Sequence, residues 1–428
     1  MTAQVLAWPG PTPAPRTRVQ PRWLDVAAFA ASVLMLVVYA QPWEGFLPDK
    51  GVSEVGSSLA RIMFFPMYAI GLGLISLRPG AALKGLLGQP FLVLLMGVCA
   101  ASIAWSVTPD DTPRRVVAIV LTSACGVAIG SRWRWPALAE VLATAFAVLS
   151  LASLLLGVFA PSIGRMTELF PGAWRGVWNE KNLMGGMMAF GFLICFAAGL
   201  LNPRRAALWW PIAALDLGLL TLSTSKTALV ALVLGLAALG FVQLARRGGA
   251  VAVLAVYGAV IAMGALVAGV FLSPDLFFSL LGKDATLTGR TKIWAAVIRL
   301  IGERPWLGYG YQAVWTDTSG WGPLAWIVKE AGFLPEHAHN SWLEQWLGMG
   351  VFGLGAWALY YLTTLFRALW AVFTEKGALL VFPFLVVFSL MTLTESIAVI
   401  YDDLRWVMFV TISIALATPR EAPPPRAH

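Results

Sequence analysis

The 428-residue chain has three histidines, and two of them fall in one short segment, Glu336-His337-Ala338-His339-Asn340-Ser341-Trp342-Leu343-Glu344. An imidazole titrates near neutrality, so it can move a proton, hold a metal or contact an anion. Cations stand in three other polar segments. Trp174-Arg175-Gly176-Val177-Trp178-Asn179-Glu180-Lys181-Asn182 joins Arg175 and Lys181 to two indoles. Ser223-Thr224-Ser225-Lys226-Thr227 surrounds Lys226 with hydroxyls. Leu287-Thr288-Gly289-Arg290-Thr291-Lys292-Ile293-Trp294 presents Arg290, whose planar fork suits two phosphate oxygens. Pro305-Trp306-Leu307-Gly308-Tyr309-Gly310 then sets aromatics beside glycine, as where sugar rings stack and equally as at membrane interfaces.

Each segment also has a plainer reading. Trp174, Trp178, Arg175 and Lys181 fit an interfacial aromatic belt with snorkelling cations, and Lys226 fits a lysine reaching for the surface. Histidines at a helix start can be ordinary polar loop residues, and His337 is read that way. A metal is not expected: such sites take three or four protein ligands, and the third histidine, His428, lies in the far tail. Glu336 and Glu344 do not complete a set. Glu395, Asp402, Asp403 and Arg405 form a further group. It either organises the basic residues or is an interfacial set satisfied by Arg405, and the second reading is preferred.

The elements that must position these residues are membrane helices. Hydrophobic residues make up 59% of the chain and charged ones 12%, and mean hydropathy is +0.76. A soluble domain carries about twice that charged share. A helical span needs roughly 20 apolar residues, and short alternating segments of the outer-membrane strand type are not seen. Apolar runs predict about twelve helices, near 23–41, 58–77, 88–107, 114–130, 136–160, 182–201, 207–224, 227–245, 250–272, 341–366, 378–397 and 402–418. The expected fold class is an all-α polytopic membrane protein with one large polar loop.

Loop charge sets the expected orientation. Arg16, Arg18 and Arg22 precede the first helix, and alternate connections are short and basic: Arg78 with Lys84, Arg132 with Arg134, Arg204 with Arg205, Arg246 with Arg247, Arg367 with Lys376. That side is expected to be cytoplasmic. The organisation is then a cytoplasmic tail 1–22, transmembrane helices one to nine in 23–272, a periplasmic loop with short helices at 273–340, helices ten to twelve in 341–418, and a cytoplasmic tail 419–428. Much of the net charge of +8 is this bias, so no nucleic-acid partner is implied. Cys99, Cys125 and Cys195 lie inside predicted helices, which argues against a disulfide framework.

Thr224-Ser225-Lys226-Thr227-Ala228, Gly289-Arg290-x-x-x-Trp294, Gly308-x-Gly310, His339-Asn340-Ser341-x-Leu343-Glu344 and Gly348-x-Gly350-x-x-Gly353, with Gly176-x-x-x-x-Lys181-Asn182, together resemble the O-antigen ligase and Wzy-type polymerase superfamily. The ordered set covers about residues 174–355. Within that superfamily the chain looks most like the ExoQ-like exopolysaccharide polymerases.

The resemblance implies a GT-C-like glycosyltransferase of the bacterial inner membrane, working on the periplasmic face without metal or cofactor. Its donor would be an undecaprenyl-pyrophosphate-linked oligosaccharide and its acceptor a glycan, within membrane lipid. A flippase and a chain-length regulator would be partners. The family's catalytic histidine falls on His339 and its loop arginine on Arg290. An arginine common at the junction of helices seven and eight is replaced by Lys226, which keeps the charge and loses the fork. Lys181 and Arg175 join these as candidate pyrophosphate contacts. Asn340, Trp178, Trp294 and Tyr309 are the candidates for acceptor or sugar contact.

Such chemistry wants these residue types. A lipid pyrophosphate leaves with negative charge, and one fixed donor aimed at developing charge is worth about 10²–10³ in rate. The attacking sugar hydroxyl needs a base, and an imidazole of reference pKa about 6.5 suits that task. The expected function is a polysaccharide polymerase. A ligase onto lipid A core is the alternative, and a transporter of lipid-linked sugars the third reading. Against transport, Asp216 and Glu140 are the only acids well inside predicted helices, and the polar groups lie on one side, whereas alternating access places them near the midplane.

Overall fold

In lipid the backbone has no water to bond, so each apolar run must pair its N–H and C=O groups within itself, which makes it a helix. The computed structural model describes residues 22–46, 54–167, 170–272, 290–317 and 319–418. All twelve apolar runs are helical there. The helices are α1 (Arg22–Tyr39), α2 (Glu54–Leu77), α3 (Pro79–Gly88), α4 (Pro90–Ala101), α5 (Thr112–Arg132), α6 (Trp135–Phe159), the single turn α7 (Pro161–Gly164), α8 (Lys181–Leu201), α9 (Ala206–Leu222), α10 (Lys226–Ala245), α11 (Gly249–Leu272), α12 (Arg290–Glu303), α13 (Pro323–Ala331), α14 (Ser341–Thr374), α15 (Ala378–Thr394) and α16 (Leu404–Ala417). The tails expected to be cytoplasmic, His428 included, and the segment 273–289 with Gly289 lie outside the described residues.

The protein is an all-α polytopic membrane protein. Among the described residues seven helices are long and apolar enough to cross a bilayer, or eight if the bent pair Ile62–Leu77 and Pro79–Gly88 is one broken span. Shorter apolar stretches among the described residues are Pro90–Trp105, Ala378–Thr394, Leu404–Ala417 and, within α11, Gly249–Ala262. The connection holding Arg78 and Lys84, expected as a short basic loop, is largely α3, which leaves α2 at 99°. Pro79 opens it without losing an intrahelical bond, since the first N–H of a helix has no partner anyway.

Without a hydrophobic drive between helices in lipid, packing relies on close approach over small residues. Gly126 and Gly130 of α5 press against α16, where a Cβ at Gly130 would come 2.3 Å from the Thr411 carbonyl oxygen. In the centre, α8 packs against α6, α9, α10 and α15, and its buried face carries Gly185, Gly186, Ala189 and Gly191.

The polar loop is a small packed unit with a core of its own. Ile293, Ala296, Val297, Leu300 and Ile301 form the apolar stripe of α12 and pack with Tyr309, Val314, Ile327, Ala331, Ala338 and Leu347. That spacing is the three-and-four rhythm of an amphipathic helix. The unit docks on a break in α14. Gly350 there has φ +63°, and a Cβ on it would lie 2.0 Å from the Trp306 carbonyl oxygen. Across this contact the Tyr309 and Gly310 N–H groups donate to the Leu347 and Gly348 carbonyls, at 3.0 and 2.7 Å, and the Val351 N–H donates to the Pro305 carbonyl at 2.9 Å. The glycine pairs 308/310 and 348/350 thus let two backbones meet.

Candidate active site

Two turns meet where α14 and α16 begin. The first carries His337-Ala338-His339, and the second runs from Glu395 at the end of α15 to Asp403. Asn340 caps α14, its side-chain oxygen accepting the N–H groups of Trp342 and Leu343 at 2.9 and 3.1 Å. Capping satisfies donors that the first turn leaves open. Ser341 sews the turns together: its hydroxyl donates to the Glu395 carbonyl at 2.9 Å and accepts the N–H groups of Ile397 and Ala398. Glu344 does the same one turn on, accepting from the Ala338 N–H, the Ser396 hydroxyl and the Trp315 indole. Trp294 of α12 donates its indole N–H to the Ala338 carbonyl at 2.8 Å, tying the polar unit to the histidine turn.

This framework holds His339 at φ +51°, a conformation that residues with a Cβ rarely adopt. Its N–H donates to His337 Nδ1 at 3.2 Å, so His337 carries its proton on Nε2. Burial, then the neighbouring His339, pushes the His337 pKa down to about 3, and the ring stays neutral.

His339 Nδ1 lies 2.9 Å from Glu395 Oε2, and the Arg290 guanidinium lies 2.6 Å from Glu395 Oε1. Burial alone would raise the Glu395 carboxyl. The hydrogen bond from His339 and the charge of Arg290 outweigh it and bring the pKa down to about 2. An ionised Glu395 accepts from Nδ1–H, which puts the imidazole lone pair on Nε2. The arrangement is a base held by a carboxylate, with a cation on the carboxylate's other oxygen. Glu180, the residue before α8, lies within electrostatic reach of Glu395, His339 and Arg290.

Beside it stands a cationic edge. Lys181 and Lys226 open α8 and α10 and feel one another's charge. Lys181 Nζ lies 3.2 Å from the Thr224 hydroxyl and 3.7 Å from the Phe170 ring centroid. Asn182 links the edge to the 223–225 turn by accepting from the Ser225 hydroxyl at 3.0 Å.

The comparisons bear on this geometry. The O-Antigen ligase family matches residues 211–358, a stretch that holds Lys226, Arg290 and His339. The exopolysaccharide production protein ExoQ of Rhizobium meliloti (strain 1021) is 28% identical over 289 residues, 64% of each chain. Both matches support a place in the O-antigen ligase and Wzy-type superfamily over the residues they cover. The match thus spans just under two thirds of that relative's length.

The superfamily's motifs come together unevenly. Arg290 and His339 meet on Glu395, whereas Arg175 is spent on its own loop: Nε donates to the Ile163 carbonyl at 2.7 Å, and further N–H groups reach the carbonyls of Asn179 and Ser162. It staples the loop and has little left for a phosphate. Trp178, expected at a sugar, is fully buried and gives its indole N–H to the Ala40 carbonyl. Asn340 uses its amide oxygen as a cap and Trp294 braces the histidine turn, so both position the site. Tyr309 is 5% exposed, with its hydroxyl on the Leu300 carbonyl and Glu303.

The preferred reading of Glu395 is also corrected. Arg405 pairs with Asp403 through both carboxylate oxygens, and Glu395 is taken by Arg290 and His339. No local signal marked it, because its partners lie 105 and 56 positions away.

His337, His339 and Glu395 present ligand atoms all within 4.8 Å of one another. As a metal set they fit poorly. His337 Nδ1 already accepts a backbone N–H, and Glu395 binds a guanidinium that a cation would have to displace.

Proposed function

We propose that this protein elongates an exopolysaccharide, moving glycan from an undecaprenyl-pyrophosphate donor to a sugar hydroxyl of a second lipid-linked unit on the periplasmic face of the inner membrane. The observation that carries this reading is the Arg290–Glu395–His339 chain, which leaves His339 Nε2 as a base within electrostatic reach of Glu180, the neighbour of Lys181. ExoQ's role in exopolysaccharide production supports the product class. The acceptor hydroxyl gives its proton to Nε2 as its oxygen bonds the anomeric carbon. The bond from that carbon to the pyrophosphate oxygen breaks, and the lipid pyrophosphate departs as an anion. Glu395 stabilises the imidazolium, and the cations stabilise the leaving group. No metal step is needed.

The deciding experiment places the purified protein in liposomes with a synthetic lipid-pyrophosphate oligosaccharide. Longer chains should form with the native protein and be absent with His339→Ala. Donor left unextended by folded native protein would sink the transferase reading. The matched family is described as O-Antigen ligase, so lipid A core is offered as a competing acceptor; glycan on that core alone would make the chain a ligase. Orientation is tested by Leu334→Cys and Arg247→Cys in a cysteine-free background. On intact cells a membrane-impermeant thiol reagent should label the first only, and the reverse would put His339 on the cytoplasmic side.

A further inference from the structure

α12 begins at Arg290 beside His339 and ends at Glu303, about 20 Å away at 1.5 Å per residue. At that far end lies a cavity of about 440 Å³ whose walls include Glu303, Arg304, Tyr309, Asp317, Trp321 and Trp326. The size is in the range that small ligands fill. Arg299 and Lys329 lie over the Trp326 ring, and Arg304 over Tyr309. Trp321 is different: it stands at the cavity with 83% of its surface exposed.

Asp317 adds an independent observation. Its Oδ1 accepts the Ser319 N–H at 3.0 Å, while Oδ2 is buried with no hydrogen-bond partner. Gly322 makes room for it, since a Cβ there would fall 1.6 Å from that oxygen. A buried carboxylate oxygen without a donor is costly, and a ligand hydroxyl would relieve the cost.

We propose that this cavity is a saccharide-binding subsite holding a distal part of the glycan whose end reacts at His339. The nature of that glycan rests on the function proposed above. Sugars offer a hydroxyl donor for Asp317 and an apolar ring face for Trp321. A lipid surface is the poorer occupant, because the lining sets two carboxylates, Glu303 and Asp317, against one cation, Arg304, where anionic headgroups would lie.

The test uses full-length protein in detergent and, as probe, soluble oligosaccharides of one and of several repeat units released from the cells' own polysaccharide. Trp321→Ala should weaken binding of the longer oligosaccharide about tenfold, a change the size of one lost aromatic contact. Asp317→Asn should weaken it several-fold by the same measurement. Turnover of a single-unit acceptor should stay within about twofold, while product chains become shorter. Unchanged binding of the longer oligosaccharide overturns the proposal, as does equal loss for both acceptor lengths. Weaker binding of Trp321→Ala to phosphatidylglycerol vesicles, with oligosaccharide binding intact, gives the indole to the membrane and overturns it too. Trp321-dependent binding without chain growth on any lipid-linked donor would keep the subsite and sink the transferase. Chain growth without Trp321-dependent binding would do the opposite.

Discussion

Glu395 and Asp402 lie on one turn between α15 and α16, and the protein treats their charges in opposite ways. Glu395 faces an imidazole and a guanidinium, which hold its pKa down at about 2. Asp402 is 8% exposed and faces hydroxyls, with Tyr68 and Thr122 donating to Oδ1 at 2.6 and 3.3 Å. Burial, helped by the charge of Asp403, outweighs those bonds and raises its pKa to about 6. One acid is kept charged so that it can orient a base, and the other is held as a structural hydrogen-bonding group. Sequence proximity does not separate them; the elements packed against each do.

The largest test of this contrast is His339→Ala. Removing a general base typically costs about 10²–10⁴ in rate, and glycan transfer should fall by that much while membrane insertion persists. His337→Ala should cost less than about tenfold, since His337 acts only through the His339 N–H. A dead His337 variant with an active His339 variant would exchange their roles.

Glu395→Gln comes next, at about 10²-fold in turnover with KM little changed. The amide removes the charge that stabilises the imidazolium and admits the wrong tautomer. Asp402→Asn measured beside it should stay within about twofold, because the amide oxygen still accepts from Tyr68 and Thr122. Equal losses in both variants would make the two acids one structural cluster and break the comparison.

Arg290→Lys should cost about tenfold, more than Lys226→Arg. Arg290 holds Glu395 through one guanidinium nitrogen and leaves further N–H groups for a phosphate, a division an ammonium copies poorly. Turnover and donor binding for the two variants decide it. An inert Arg290→Lys would reduce Arg290 to a neutralising charge.

These contrasts also mark what the residues disclosed in advance. The helices were legible because apolar runs in lipid have one way to satisfy their backbone, and the α12 stripe is a plain amphipathic rhythm. His339 and Arg290 stood out by motif and residue type, and the fold brings both to Glu395. Glu395 was not: Arg405, ten positions on, was the obvious partner, and only the tertiary fold brings Arg290 to it. Trp178 and Arg175 misled because a Trp and Arg in a polar segment look alike whether they face a ligand or the loop's own carbonyls. The cap at Asn340 was readable, since Asn before an apolar run is a helix-start signal.

The smallest effect on activity carries the clearest pH signature. The folded pKa of Asp402, about 6, lies above the ordinary 3.8, so the folded state binds that proton more tightly. Its stabilising contribution is complete below about pH 4 and disappears as pH rises through 6, a change of up to about 3 kcal/mol. Glu395 has the opposite sign: its folded value of about 2 lies below 4.5, so its contribution is present above about pH 4.5 and lost as pH falls toward 2. Thermal unfolding in detergent between pH 4 and 8 should therefore show native protein losing ground to Asp402→Asn as pH rises, while Glu395→Gln shifts both ends of that window together. Parallel profiles for the native protein and Asp402→Asn would mean that Asp402 is ionised in the fold as Glu395 is, and the division of labour between the two acids would not hold.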